Sequence, residues 1–226
     1  VHIFIHGGYW RAMDKSDFSF LAKGLVDGGA LVAVVNYGRC PAVSMADIVG
    51  QMRDACHWLW RNCTQFGGNP EAIHVSGHSA GGHLAAMMMA TEWPAMYPDI
   101  PLNLVKSGVA VSGLFELEPM RLIPLNDDLH LDEKNARLFS PALLKPLTHA
   151  PLSIVVGGEE SDEFRRQSYD FVTEWGKRMT GIAYLELPDL NHFTIIDQMN
   201  SPGNPLTEIM LGHMALVREH SDFTLT

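Results

Sequence analysis

The sequence predicts an α/β protein: a mostly parallel sheet with helices on both faces. Three observations carry this. Short apolar, β-branched runs alternate with amphipathic helical segments, the pattern of strands joined by crossover helices. The 226 residues are 46% hydrophobic and 19% charged, enough for one sizeable core, so a single domain over residues 1–226 is expected. No internal repeat or low-complexity tract interrupts the alternation.

The elements follow in order. Residues 2–5 are a short apolar run that stops at Gly7-Gly8. Phe18, Leu21, Ala22 and Leu25 recur at helical spacing over 17–26, closed by Gly28-Gly29. Residues 30–36 are continuous and β-branched, which suits a buried strand. A long helix is expected over 45–62, a strand over 72–76 and a helix over 80–90. Strands follow at 107–112 and 152–156, a helix at 163–179, a strand at 182–187 and a last helix at 205–219. Residues 114–150 break the alternation with Pro119, Pro124, Pro141 and Pro146, and read as a small cap inserted between two strands.

The formal net charge of -10 disfavours nucleic acid and anionic membrane as partners, because both would repel it. A small-molecule substrate is the partner expected, and the oligomeric state stays open, a homodimer included. Cys40, Cys56 and Cys63 are odd in number and form no CxxC, so a reducing, cytoplasmic setting is expected rather than a disulfide framework. No apolar run is long enough to span a membrane and no signal peptide is visible. The chain opens at Val1 inside an apolar strand, and a natural N-terminus upstream is expected.

Gly77-His78-Ser79-Ala80-Gly81 matches Gly-x-Ser-x-Gly, between an expected strand and an expected helix. That placement is the nucleophile elbow of the α/β-hydrolase fold: the sharp turn lifts the serine out of the sheet, and flanking glycines let the two backbones pass. The helix that follows points its N-terminus at Ser79 and favours negative charge there. Acyl transfer needs preorganised N–H donors for a developing oxyanion. In this fold one is the N–H after the nucleophile, Ala80, and the others come from a His-Gly-Gly loop after an earlier strand. His6-Gly7-Gly8-Tyr9-Trp10 is that loop, with Gly8 and Tyr9 the expected donors and His6 expected to order it.

The triad order in this fold is serine, acid, histidine. His192 stands in a loop after the last expected strand and is the expected general base. His83 is expected to pack, and His57, His213 and His220 to lie on helix surfaces. The acid should follow the strand at 152–156, where Glu159, Glu160, Asp162 and Glu163 are all available. No HExxH or paired-histidine spacing occurs, so no metal site is expected.

Together these residues resemble the kynurenine formamidase (arylformamidase) branch of the α/β hydrolases, near the hormone-sensitive-lipase-like esterases. HGGYW at 6–10, NYxxCP at 36–41, GHSAGGHLA at 77–85, SGLFELEP at 112–119, ESDEFRRQS at 160–168 and NHF at 191–193 carry the resemblance over nearly the whole chain. It implies the acid at the fourth position of a Gly-x-x-Asp turn, which is Glu160 here, with Asp162 as the alternative. It also implies strands before the HGG strand, which this chain lacks. The implied reaction is hydrolysis of N-formyl-kynurenine by Ser79, His192 and Glu160 without a cofactor, the alternative being a carboxylesterase on short-chain acyl esters. A flat substrate ring would need stacking partners, for which Trp10, Tyr37 and Phe193 are the candidates, with Asn126 of the cap for the amino-acid head. Bulk at Tyr9 and Trp10 would keep the acyl pocket small.

Overall fold

The computed structural model describes residues 1–222, with residues 216–222 as backbone alone. Six strands form one sheet in the order β2-β1-β3-β4-β5-β6. They are β1 (His2–Ile5), β2 (Val32–Val35), β3 (Ile73–His78), β4 (Val105–Val111), β5 (Leu152–Gly157) and β6 (Ile182–Leu187). All neighbours pair in parallel.

The helices are α1 (Ala22–Asp27), α2 (Met45–Asn62), α3 (Ala80–Met89), α4 (Trp93–Met96), α5 (Glu118–Arg121), α6 (Asn126–Leu129), α7 (Glu133–Leu138), α8 (Asp162–Gly176) and α9 (Pro205–Asp222). Among the described residues no helix is long and apolar enough to cross a membrane. The alternation of side chains along the strands sorts the core into two layers. Ile3, Ile5, Val75, Ala110 and Ile154 face α2, α3 and α8, whereas Phe4, Val109, Val111 and Val155 face α1 and α9.

Three local readings are corrected. The helix expected over 17–26 is a 3-10 turn, Lys15–Leu21, running into α1, because Asp14 and Asp17 close a capping box that starts the winding earlier. The strand expected to be buried at 30–36 is β2, a half-buried edge strand paired with β1. His213 is not a surface residue: its Nε2 lies 3.0 Å from Ser153 Oγ, and burial pulls its pKa below the ordinary value. His57 pairs with Asp99 across 3.3 Å, and the His220 side chain lies outside the described residues.

The segment 114–150 lies between β4 and β5 and carries α5, α6 and α7. Its Leu114, Phe115, Leu117, Leu129 and Phe139 join the same apolar cluster as α2 and α3. Phe115 stacks on Phe171 of α8 at 4.3 Å, and Gln167 Oε1 accepts from the N–H groups of Phe115 and Glu116 at 2.8 and 2.9 Å. These contacts set the segment over the C-terminal ends of the strands, where a parallel sheet places its sites. Cys40, Cys56 and Cys63 are buried free thiols.

Candidate active site

The elbow is built by close backbone approach. β3 ends at His78 and α3 starts at Ala80, leaving Ser79 alone at the turn with φ 56° and ψ -120°, a conformation that costs a non-glycine residue. A Cβ on Gly77 would sit 2.1 Å from the Gly81 carbonyl oxygen, and one on Gly81 would sit 1.9 Å from the Ile5 carbonyl oxygen. Backbone cannot yield as a side-chain tip can. Gly81→Ala is therefore expected to destabilise the fold by about 3 kcal/mol or more. Urea unfolding measures it, and a midpoint equal to the parent's would show that β1 and α3 do not approach so closely.

Ser79, His192 and Glu160 meet at the C-terminal edge of the sheet. His192 Nε2 lies 3.0 Å from Ser79 Oγ, and His192 Nδ1 lies 2.7 Å from Glu160 Oε2. The Glu160 side chain is wholly buried. Its Oε1 accepts from the Gly157 N–H at 2.9 Å and from the Ser112 hydroxyl. Burial alone would raise the Glu160 pKa, but hydrogen bonds from His192, Ser112 and Gly157 outweigh it and hold the carboxyl below its ordinary range. An ionised Glu160 selects the His192 tautomer with the proton on Nδ1, which leaves Nε2 free to accept from Ser79. Asp162, the alternative acid, has a side chain 97% exposed and pairs with Arg165.

Two residues support this arrangement that the sequence reading did not single out. Ser112, at φ 51°, turns its hydroxyl from the end of β4 onto Glu160. His78 Nε2 donates to the His192 carbonyl at 2.9 Å, with the two rings 4.7 Å apart. Burial, reinforced by the nearby His192, pushes the His78 pKa down to about 3 and keeps it neutral. Its place in the elbow motif was the only available signal. The acid turn and base loop are tied together by Gly158 N–H to Leu187 O at 2.8 Å and Glu159 N–H to Leu190 O at 3.0 Å.

The HGG loop runs beside Ser79. Gly8, Tyr9 and Trp10 take φ values of 105°, 50° and 59°, so their backbone curls in the left-handed sense. Among the described residues the N–H groups of Gly8 and Tyr9 have no acceptor. Ala80 opens α3, so its N–H lacks an intrahelical partner. His6 stacks on Tyr37 at 4.3 Å, its Nδ1 is 2.7 Å from Gly7 O, and its Nε2 is 2.9 Å from Asn36 Oδ1.

Three substrate-contact expectations are corrected here. Tyr37 is buried, and its hydroxyl donates to the carbonyls of His6 and Gly7 at 3.0 and 3.1 Å. Trp10 is fully buried, and its Nε1–H donates to His83 Nδ1 at 3.1 Å. His83 in turn lies 2.7 Å from the Phe139 carbonyl, and burial pushes its pKa down to about 4. Both aromatics brace the loop from beneath, so neither offers a face to a ligand, and Trp10 does not narrow the acyl pocket. Asn126 is likewise occupied: its side chain closes on the N–H and carbonyl of Leu131.

A cleft of about 430 Å³ opens over Ser79 and His192. Gly8, Tyr9, Arg11, Met13, Phe18, Phe193 and Ile196 contribute to its walls. Phe193 is 78% exposed and flanks the mouth. Among the described residues no group of three or more His, Cys, Asp or Glu is placed to hold a metal ion.

Comparison with known proteins gives the family and the fold. A family model described as BD-FAE matches residues 1–99. The chain is 30% identical to a kynurenine formamidase of Danio rerio over 92% of its own length and 71% of the relative's. It is 32% identical to a kynurenine formamidase of Salmo salar, covering 94% and 72%. The structure of esterase B from Lactobacillus rhamnosis superposes with a TM-score of 0.79 to 0.80 at 19% identity, covering 99% of this chain and 77% of that one, which speaks to the fold alone. The chain is thus a hydrolase with the α/β-hydrolase fold, and it belongs to the kynurenine formamidase family.

Proposed function

We propose that the chain hydrolyses the formamide of N-formyl-kynurenine to kynurenine and formate. The observation that carries this reading is the unbroken relay from Glu160 through His192 to Ser79 beneath an apolar cleft, in a chain whose relatives are kynurenine formamidases. His192 Nε2 takes the Ser79 proton as Oγ bonds to the formyl carbon. The oxyanion so formed accepts from the N–H groups of Gly8, Tyr9 and Ala80, which are fixed before substrate arrives. Glu160 stabilises the imidazolium. His192 then passes its proton to the aryl nitrogen as the C–N bond breaks, releasing kynurenine and leaving formyl-Ser79. Water gives a proton to His192 and attacks the formyl carbon. Formate leaves as Ser79 recovers its proton. No step calls for a metal or cofactor.

The leaving nitrogen shares its lone pair with the ring, so its amide is weaker than an alkyl amide and suits a relay of esterase type. Phe193, Phe18, Met13 and Ile196 give the ring an apolar wall. The same parts would serve short-chain esters, which is the second reading. A side-by-side measurement of kcat/KM separates them. N-formyl-kynurenine is expected to exceed p-nitrophenyl acetate, and acetate to exceed butyrate, with Tyr9 as the bulk left beside the oxyanion loop; a methylene it excludes is worth about 1–3 kcal/mol. Equal rates for acetate and butyrate, with formamide cleaved slowly, would favour the esterase.

A further inference from the structure

We propose that Arg11 and Asp128 form a subsite for the amino-acid head of the substrate, Arg11 taking the α-carboxylate and Asp128 the α-ammonium group. The inference rests on the formamidase reading. Arg11 is the only Lys, Arg, Asp or Glu among the residues lining the cleft over Ser79. Its Nη1 pairs with Asp128 Oδ2, which reaches it from α6 of the segment that breaks the strand–helix alternation. Their side chains are 46% and 36% exposed; Arg11 lines the cleft, and Asp128 stands beside it outside the lining, joined to it through Arg11. Among the described residues, Arg11 Nε and Nη2 and Asp128 Oδ1 make no other hydrogen bond.

The chemistry of the pair matches a zwitterion. A guanidinium presents parallel N–H donors to a carboxylate. A simple anion would meet Asp128 as well as a protein of net charge -10, and a simple cation would meet Arg11. A ligand carrying both charges satisfies both partners. Exposed ion pairs add little to stability, so stability alone gives weak reason for this one to bridge the loop and the cap. Arg11 also belongs to the turn that presents the oxyanion donors: the N–H groups of Arg11 and Ala12 both donate to Gly8 O, at 3.1 and 3.0 Å. The backbone of Arg11 is thereby held in the same turn as the oxyanion donors, which lets head binding help to orient the formyl group.

The test compares N-formyl-kynurenine with ortho-formamidoacetophenone, which keeps the ring and the formamide but lacks the head. In parallel, kynurenine and ortho-aminoacetophenone are assayed as inhibitors of p-nitrophenyl acetate hydrolysis. Arg11→Gln is expected to cut the ratio of kcat/KM for the headed over the headless formamide by roughly tenfold, mainly through KM, and to raise the inhibition constant of kynurenine by a similar factor. Asp128→Asn should act in the same direction, and Arg11→Lys should recover part of the loss. A ratio and an inhibition constant unchanged in Arg11→Gln would overturn the subsite while leaving the formamidase reading intact. If the parent cleaves esters but neither formamide, the formamidase reading fails. Kynurenine inhibition then decides the subsite separately: an inhibition constant that rises in Arg11→Gln supports it, and one that does not rise overturns it.

Discussion

Ser79→Ala is expected to lower kcat by roughly 10⁴- to 10⁶-fold, the cost typical of removing the nucleophile from such a relay. Alanine keeps the Cβ and the same positive φ, so the strain at the turn is unchanged and only the hydroxyl is lost. Among the described residues that hydroxyl makes one hydrogen bond, to His192 Nε2 at 3.0 Å. Stability should therefore shift by no more than about 1 kcal/mol. Two measurements check this together: steady-state turnover and labelling by a fluorophosphonate. The parent should label and the variant should not, while their unfolding midpoints stay close. Near-parental turnover in a folded variant would remove Ser79 from the mechanism.

Glu160→Gln should be almost as damaging, by roughly 10⁴-fold in kcat, and for a tautomeric reason. Oε1 accepts from Gly157 N–H and the Ser112 hydroxyl, so the amide oxygen of glutamine will settle there. Its NH₂ then faces His192 Nδ1, where the carboxylate now accepts. The imidazole must shift its proton to Nε2 and can no longer take one from Ser79. Asp162→Asn supplies the contrast: its side chain is 97% exposed and its partner is Arg165, so turnover should stay within about twofold. The reverse ranking of the two variants in kcat would transfer the acid to Asp162. Because hydrogen bonds hold the Glu160 carboxyl below its ordinary range, Glu160 stays ionised through neutral and mildly acidic pH. An acid limb of the pH–rate profile near neutrality is then not its titration.

Much of the fold and site was legible in residue order, because the forces involved act locally. The alternation of β-branched runs with helical spacing is enough to predict the layered parallel sheet, and α2 (Met45–Asn62) and β6 (Ile182–Leu187) lie where their patterns place them. The elbow is equally local: its shape demands glycine before and after the serine, and both are present. His192 was reachable from order alone, because a loop after the last strand of such a sheet opens at the edge where Ser79 stands.

What residue order left open depends on neighbours far apart in the chain. Four carboxylates crowd residues 159–163, and only the packing of β4 against β5 brings the Ser112 hydroxyl to Glu160 while Asp162 points outward. Aromatic side chains suit a buried core and a ligand pocket alike, so their type could not assign Trp10 and Tyr37. The fold turned both inward, Trp10 onto His83 and Tyr37 onto the HGG loop, and left Phe193 at the cleft mouth. Arg11 and Asp128 stand 117 positions apart, and no local periodicity links them. Local sterics and hydrophobic periodicity act within a few residues and can be read along the chain, whereas burial and pairing depend on which surfaces close on one another and exist only once the sheet and its helices have packed.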